Sequence, residues 1–161
     1  MIRPFEIKDT QALLDIYNYY VLNTIVTFDV EPLTLSAFEA KLTRINDKYP
    51  VLIFEDASEL LGYAYGSKWR PKPAYSKTVE TTVYIKNGFG GRQIGSKLYE
   101  ALLAILKREN YHIALGGLTL PNAASVKLHE KFGFEKVAHF KQVGRKFDTW
   151  LDVGFWQLKL H

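Results

Sequence analysis

The 161-residue chain contains no cysteine. This absence excludes disulfide bonds, a thiol nucleophile, cysteine-ligated zinc and a covalent acyl-cysteine intermediate. Any group transfer that the protein catalyses must therefore proceed without a thiol of its own.

The chain also lacks an apolar run of membrane-spanning length, an apolar signal core near its first residue, internal repeats and low-complexity segments. Nearly half of its residues, 47%, are hydrophobic. Because a chain of this length and composition can bury a full core, we expect residues 1–161 to form one soluble domain in the cytoplasm.

Neither sign of charge dominates strongly, since 21 Lys and Arg residues face 17 Asp and Glu residues, for a net charge of +4. A moderate positive charge favours anionic ligands, which include nucleic acid, a membrane surface and a phosphorylated cofactor. Charge alone does not choose among these three.

Strand-like and helix-like patterns alternate along the chain, which predicts the α/β class and a mixed sheet with helices on both faces. We expect about seven strands and about four helices, with Asp9 capping the first helix. The expected strands are residues 2–7, 51–54, 60–69, 79–85, 113–119, 136–143 and 150–160, and the expected helices begin near residues 9, 36, 94 and 122.

A glycine-rich turn, residues 87–95, joins the fourth strand to a long amphipathic helix. Glycines at such a turn let backbone N–H groups approach an anion, and the helix N-terminus adds partial positive charge. The spacing fits neither of two common phosphate motifs. Gln93 stands where a dinucleotide fingerprint needs glycine, and Ser96-Lys97 inverts the Lys-Ser order of a P-loop.

Glu80 is the only acid between Glu59 and Glu100, and its strand is otherwise apolar or hydroxylic. Partial burial should raise its pKa and suit it to general-base catalysis, directly or through a water molecule. The alternative is an ordinary surface carboxylate on a half-exposed strand.

Along the whole chain the parts follow the order strand, glycine turn, helix, strand, and then an asparagine-led helix that ends in a Gly-Phe turn. In this order the chain resembles the GNAT acetyltransferase superfamily, and shorter segments resemble its phosphinothricin and methionine sulfone or sulfoximine N-acetyltransferase branch. These segments are Phe28–Pro32, Trp69–Pro71, Ala74–Tyr75, Glu80–Tyr84, Gly95–Tyr99, Asn122–Ser125, Leu128–His129 and Trp150–Gln157.

The resemblance implies a GNAT fold with a mostly antiparallel sheet, acetyl-CoA as the acetyl donor, no metal, and Glu80 as the base. It also implies that backbone groups of the fourth strand bind the pantetheine arm and that the glycine turn binds the pyrophosphate. The implied cofactor-binding residues are Val83, Tyr84, Ile85, Gly91, Arg92, Gln93, Ile94, Gly95, Ser96, Asn122 and Ser125.

The turn departs from the superfamily's usual motif, Gln/Arg-x-x-Gly-x-Gly/Ala, at two positions. Gly90 removes the usual first side chain, and Gln93 replaces a glycine. We expect the backbone cradle to persist if Gln93 keeps a negative φ, with weaker cofactor binding than is typical.

Two residues of the asparagine-led helix have both a structural and a functional interpretation. Asn122 is placed to cap the helix, and the resemblance adds a contact with the cofactor. His129 lies where many superfamily members have a tyrosine acid, so it could protonate the departing thiolate or orient water at Glu80. Packing near the helix C-terminus is the structural alternative.

A basic loop at residues 68–77 precedes Glu80 and contains no acid. It is either a solvated loop or, as the resemblance implies, the site that captures an anionic group of the substrate. The implied substrate-binding residues are Phe28, Arg70, Pro71, Lys72, Tyr75, Thr81 and Thr82. In the resembling branch, the region around residues 143–150 lies near a two-fold contact, which implies a homodimer.

These observations predict an acetyl-CoA-dependent N-acetyltransferase that acts on a small amino-acid-like amine by direct transfer, with no nucleic-acid or membrane partner. Acetylation of peptide or protein N-termini is one alternative, and it would need an open groove. A non-catalytic module that binds CoA or RNA is the other, although such a module has no need of an isolated carboxylate.

Overall fold

Seven strands and four helices follow one another in the computed structural model, which describes residues 1–161. Short 3₁₀ turns at Ile7–Asp9 and Pro73–Tyr75 complete the fold. The elements are β1 Ile2–Pro4, α1 Thr10–Asn23, α2 Leu35–Asn46, β2 Val51–Asp56, β3 Glu59–Lys68, β4 Thr78–Ile85, α3 Ile94–Arg108, β5 Ile113–Leu120, α4 Ala123–Lys131, β6 Glu135–Lys146 and β7 Thr149–Lys159.

All the strands belong to one sheet, in the order β1-β2-β3-β4-β5-β7-β6. Every neighbouring pair is antiparallel except β4 and β5, which are parallel. The expected α/β class, the mixed and mostly antiparallel sheet, and the numbers of strands and helices are therefore confirmed.

The two faces of the sheet bury separate apolar clusters because successive strand residues point to opposite sides. Leu98, Leu102 and Leu106 of α3 are fully buried on one face. On the other face α1 and α2 contribute Leu13 and Leu42, which are equally buried. Helices thus cover both sides, as the alternating pattern predicts.

The parallel junction between β4 and β5 is short. Only Thr78–Glu80 pair with Ile113–Leu115, whereas β4 remains paired with β3 as far as Ile85. Beyond Glu80 the two strands diverge and open a wedge in the sheet. Along this wedge, backbone groups of residues 81–85 have no pairing partner on β5, and the candidate site lies there.

The first nine residues differ from the sequence-based expectation. β1 ends at Pro4, and Ile7 lies in a 3₁₀ turn. Asp9 does not cap α1 through its side chain. Its carboxylate instead accepts hydrogen bonds from the backbone N–H of Glu6 and from the guanidinium of Arg3, each at 2.8 Å. The Arg3 guanidinium contacts both oxygens of the Asp9 carboxylate, and this bidentate, charge-assisted pair fixes the side chain away from the N-terminus of α1.

β6 begins at Glu135 and ends at Lys146, so it is longer than expected at both ends. Its pairing with β7 shifts register between Phe140 and Gly144, where Gln142 has a φ of 52°. No helix of the structure is long and apolar enough to cross a membrane.

Candidate active site

Two adjoining cavities occupy the wedge between β4 and β5. The first, here called the carboxylate cavity, has a volume of about 280 Å³ and contains Glu80. The second, here called the glycine groove, has a volume of about 490 Å³ and runs past the glycine turn and the start of α3. The residues that line both are Val26, Val83, Tyr84, Asn122 and Ser125. The two spaces therefore meet between β4 and the start of α4.

Glu80 is the last residue of β4 that pairs with β5, so its side chain stands where the wedge opens. The residue is half-buried and makes no side-chain hydrogen bond or ion pair within the protein. Burial raises the pKa of the Glu80 carboxyl above its ordinary value. A carboxylate that is partly desolvated and unpaired is suited to accept a proton from a ligand.

Gly117 of β5 provides the space beside this carboxylate. A Cβ atom at Gly117 would lie 3.3 Å from Oε1 of Glu80 and 3.1 Å from the ring of Phe155. Because glycine places no side chain there, a small group of a ligand can approach the carboxylate. Sequence reasoning did not identify Gly117, although two adjacent glycines within a strand often mark a close approach by a ligand or another chain segment.

Behind Glu80, a buried chain of hydrogen bonds runs from Ser125 to Thr81. His129 Nδ1 lies 2.7 Å from the carbonyl oxygen of Ser125, and His129 Nε2 lies 2.9 Å from the hydroxyl of Tyr99. That hydroxyl lies 3.1 Å from Thr81 Oγ1. The tautomer follows from the partners. A carbonyl oxygen can only accept a hydrogen bond, so Nδ1 carries a proton. Burial lowers the pKa of His129 and keeps the ring neutral, so Nε2 carries no proton. Nε2 therefore accepts a hydrogen bond from the Tyr99 hydroxyl.

In this arrangement His129 has no proton free to give to a departing thiolate. Its one N–H is used on a backbone carbonyl, and only 1% of its surface is exposed. The geometry therefore differs from what the general-acid interpretation needs. Gly116 makes the arrangement possible, since a Cβ there would lie 2.3 Å from His129 Nε2.

The glycine groove has the features of an anion cradle. Gly88 and Gly91 have φ angles of 87° and 77°, which glycine adopts without strain. A Cβ atom at Gly88, Gly90 or Gly91 would meet no atom within 4 Å, so this side of the turn is open. The first turn of α3 contains no acidic residue, so its free N–H groups are available to a phosphate.

Gln93 corrects one expectation. Its φ is 61°, in the left-handed region, so the condition of a negative φ on which we made the cradle depend is not met. In this structure the residue immediately before α3 has a positive φ, a conformation that glycine adopts without strain. The cradle is thus formed at the expense of strain at Gln93, on the order of 1–2 kcal/mol for a non-glycine residue.

Asn122 caps α4 as expected, because its side chain accepts a hydrogen bond from the backbone N–H of Ser125 at 3.2 Å. It also lines both cavities. The capping and ligand-contact interpretations are therefore compatible in this structure.

The structure brings most of the predicted site residues together. All the predicted cofactor-binding residues except Arg92 line the glycine groove, and the Arg92 guanidinium lies 4.7 Å from the centre of the Phe89 ring. Among the predicted substrate-binding residues, Phe28, Thr81 and Thr82 line the carboxylate cavity. The others, Arg70, Pro71, Lys72 and Tyr75, lie on an exposed loop and do not line it.

The exposed loop has its own internal packing. The rings of Trp69 and Tyr75 meet edge to face with their centres 5.1 Å apart, and the Arg70 guanidinium lies 4.7 Å from the Trp69 ring. The residues that line the carboxylate cavity include no Lys or Arg. Any anionic group of a ligand bound there must find its cation elsewhere.

Comparison with known proteins gives a consistent assignment. The family model described as "Acetyltransferase (GNAT) domain" matches residues 2–154. The chain is 42% identical over 163 residues to the phosphinothricin N-acetyltransferase of Streptomyces coelicolor, covering 99% of this chain and 95% of that protein. It is 37% identical over 161 residues to the L-methionine sulfoximine/L-methionine sulfone acetyltransferase of Pseudomonas aeruginosa, covering 99% of this chain and 94% of that protein.

One similar solved structure contains acetyl-CoA. A Salmonella typhimurium protein, solved with its cofactor acetyl-CoA, superposes with a TM-score of 0.96 at 34% identity. The match covers 100% of this chain and 94% of that chain.

Proposed function

This chain belongs to the family of GNAT acetyltransferases, and from that premise we propose that it acetylates the α-amino group of a small amino acid of the phosphinothricin or methionine sulfone and sulfoximine type. It is an acetyl-CoA-dependent acyltransferase, as its family and its named relatives show. The observation that supports the substrate class best is the small cavity of about 280 Å³ in which an unpaired Glu80 meets the cofactor groove.

The glycine groove suits acetyl-CoA, which supplies the acetyl group as a thioester. Backbone N–H groups of the turn and of the first turn of α3 would hold the pyrophosphate. The unpaired edge of β4, residues 81–85, would hold the pantetheine arm and point it toward Glu80. Tyr20 steadies this edge, because its hydroxyl donates a hydrogen bond to the carbonyl oxygen of Ile85.

Glu80 would act as the general base. It takes a proton from the ammonium group of the acceptor, or from a water molecule between them, and so provides the neutral amine that acyl transfer requires. The amine then attacks the thioester carbonyl directly, since the chain has no cysteine that could carry the acetyl group. The C–S bond breaks as the amide forms, and CoA leaves as a thiolate that takes up the proton lost by the attacking nitrogen.

We assign His129 a positioning role rather than a direct one. Its Nε2 accepts from Tyr99, which fixes the direction of that hydroxyl in the wall of the carboxylate cavity. Thr81, the residue after Glu80, is held by the same hydroxyl. The chain from Ser125 to Thr81 therefore holds β4 in place at the base.

The missing cation suggests that the enzyme works as a homodimer. An amino-acid carboxylate in the carboxylate cavity needs a positive partner, and we propose that Arg70 and Lys72 supply it in the assembled dimer. The β6 and β7 strands and the turn between them present exposed apolar side chains that a second copy could cover. They are Val137, Phe140, Val143, Phe147 and Trp150.

We further propose a cytoplasmic location, since acetyl-CoA is an intracellular cosubstrate.

The substrate class is tested by release of CoA, detected with a thiol reagent, across a panel of acceptors. We expect turnover with phosphinothricin, methionine sulfone and methionine sulfoximine, and little with short peptides. Turnover of peptides without turnover of free amino acids would reject this proposal in favour of N-terminal peptide acetylation. The cysteine-free enzyme contributes no background to the assay.

The base is tested by Glu80→Gln. We expect kcat to fall by roughly 10²- to 10⁴-fold, because the amide cannot accept the proton, while acetyl-CoA binding is retained. Glu100→Gln, which changes an exposed glutamate on α3, is the control and should keep full activity. Full turnover by the Glu80 variant would show that the base is another group.

A further inference from the structure

We propose that two residues at the end of β6, Gly144 and Lys146, position the loop that walls the acceptor side of the site and so determine how well the acceptor binds. This inference rests on the proposed function. The loop joins α1 to α2, spans residues 24–34 and is here called the acceptor loop. Three of its residues, Val26, Thr27 and Phe28, line the carboxylate cavity.

Lys146 is buried to an unusual degree for a lysine, with 4% of its surface exposed. Its ammonium group donates a hydrogen bond to the carbonyl oxygen of Thr27 at 2.8 Å, across 119 residues of sequence. It forms no ion pair with a carboxylate. Burial accordingly lowers the pKa of Lys146. Nζ also lies 5.2 Å from the centre of the Phe147 ring. Burying an ammonium group is costly unless it is hydrogen-bonded, and its one hydrogen bond is to the acceptor loop.

Gly144, two residues earlier, receives the ring of Phe28. A Cβ atom at Gly144 would lie 2.3 Å from two carbons of that ring, so no other residue fits without moving it. Phe28 keeps 40% of its surface exposed and forms part of the cavity wall. The backbone of β6 at Gly144 therefore sets how far the ring projects into the cavity.

The acceptor loop is also held from its inner side. The Thr27 hydroxyl lies 2.9 Å from the Tyr17 hydroxyl, which also donates to the Asp29 carboxylate. Tyr17 in turn packs edge to face on Tyr84 of β4, with ring centres 5.3 Å apart. The loop is thus clamped between β6 on one side and the β4 wall of the wedge on the other.

Two roles are separable by substitution at Lys146. A merely structural lysine would lower stability, kcat and cofactor binding together. A positioning lysine should act on acceptor binding, since it touches the acceptor loop and does not line the glycine groove.

For Lys146→Met we expect KM for methionine sulfone to rise about tenfold or more, with kcat and acetyl-CoA affinity within about threefold of the wild type. Lys146→Arg should recover most of the affinity, because guanidinium N–H groups can still donate to the Thr27 carbonyl. Lys107→Met, at an exposed position of α3 away from the acceptor loop and from β6, is the control and should leave KM unchanged. An unchanged KM in Lys146→Met, or an equal fall in kcat and cofactor affinity, would overturn the proposal.

Hydrogen exchange tests the clamp independently of any substrate. Lys146→Met should accelerate amide exchange in residues 24–34 while leaving α3 protected, and Gly144→Ala should do the same by displacing Phe28. If the wild type acetylates no amino acid but this exchange pattern appears, the proposed function fails and the clamp stands. If exchange in the acceptor loop is unchanged in both variants, the clamp itself is wrong.

Discussion

At the scale of single residues, Glu80 shows how function opposes stability. Its carboxyl pKa is raised by burial, so the folded protein holds this proton to higher pH than the unfolded chain does. Between the unfolded and folded pKa values the native state binds more protons, and stability therefore falls as pH rises through this window. At neutral pH the charged, unpaired Glu80 destabilises the fold.

The Glu80→Gln variant should therefore be more stable than the wild type at pH 8, with a higher Tm. The difference should disappear at about pH 3, well below the ordinary pKa of a glutamate, where the carboxyl is protonated in both states. Scanning calorimetry at the two pH values measures this, with Glu100→Gln as the exposed control. A Tm that falls at pH 8 would mean that Glu80 has a stabilising partner in solution.

The individual site residues were predictable to different degrees. Glu80 was identifiable because no other acid is near it in the sequence, and Asn122 because it precedes a helix. Tyr99 and Gly117 were not identified as site residues. Their roles depend on contacts with His129 and Glu80, which lie 30 and 37 residues away along the chain, and no local pattern reports such distant contacts.

At the scale of elements, the sequence predicts an open glycine turn before α3, but not the backbone angle at Gln93. The spacing of the turn excluded a dinucleotide fingerprint and a P-loop, which left a cradle of backbone N–H groups, and the structure has such a turn. The sign of φ at Gln93 could not be read from the residue itself, because glutamine normally avoids the left-handed region. The turn geometry, rather than the side chain, determines that angle.

Replacing Gln93 with glycine should raise Tm modestly and lower the Kd for acetyl-CoA. Glycine relieves the strain of the positive φ and lets the pyrophosphate approach the backbone more closely. Gln142→Gly is a matched control, because Gln142 also has a positive φ, of 52°, but lies in the β6 bulge away from the groove.

Calorimetry should show tighter cofactor binding in Gln93→Gly alone, while both variants gain stability. Unchanged or weaker binding in the Gln93 variant would indicate that its side chain contributes to cofactor affinity.

Among the other elements, the central strands and α3 were close to their predicted bounds, whereas β1 and β6 were not. Strong periodicity defines the former. The end of β1 is decided by the pairing of Asp9 with Arg3, and the length of β6 by its partner β7. Both are tertiary effects that a pattern of single residues does not contain.

At the scale of the whole molecule, the homodimer is the prediction with the widest consequences. The sheet ends in β6, an unpaired edge strand beside exposed apolar side chains. Monomeric proteins usually protect such an edge strand, so we expect a second copy of the chain to pack against β6 and its exposed apolar side chains.

We expect the wild type to have twice the mass of the 18.5-kDa chain in light scattering. Trp150→Lys should yield monomers, because a charge replaces an exposed aromatic ring in the proposed contact. The KM of the Trp150→Lys variant for the acceptor amino acid should rise if the dimer brings the basic loop, residues 68–77, to the carboxylate cavity. Leu22→Lys changes an equally exposed apolar residue on α1 and should stay dimeric. A monomeric wild type with full activity would reject the dimer.

The short junction between β4 and β5 has a mechanical consequence. Only three residue pairs join the four strands on one side of the wedge to the three on the other, so the sheet is two slabs with a narrow seam. If acetyl-CoA binds in that seam as we propose, it bridges the two slabs as well as donating acetyl groups. Because such a ligand binds only the folded state, in which both slabs are in place, we expect the loaded enzyme to unfold at a higher temperature than the free enzyme.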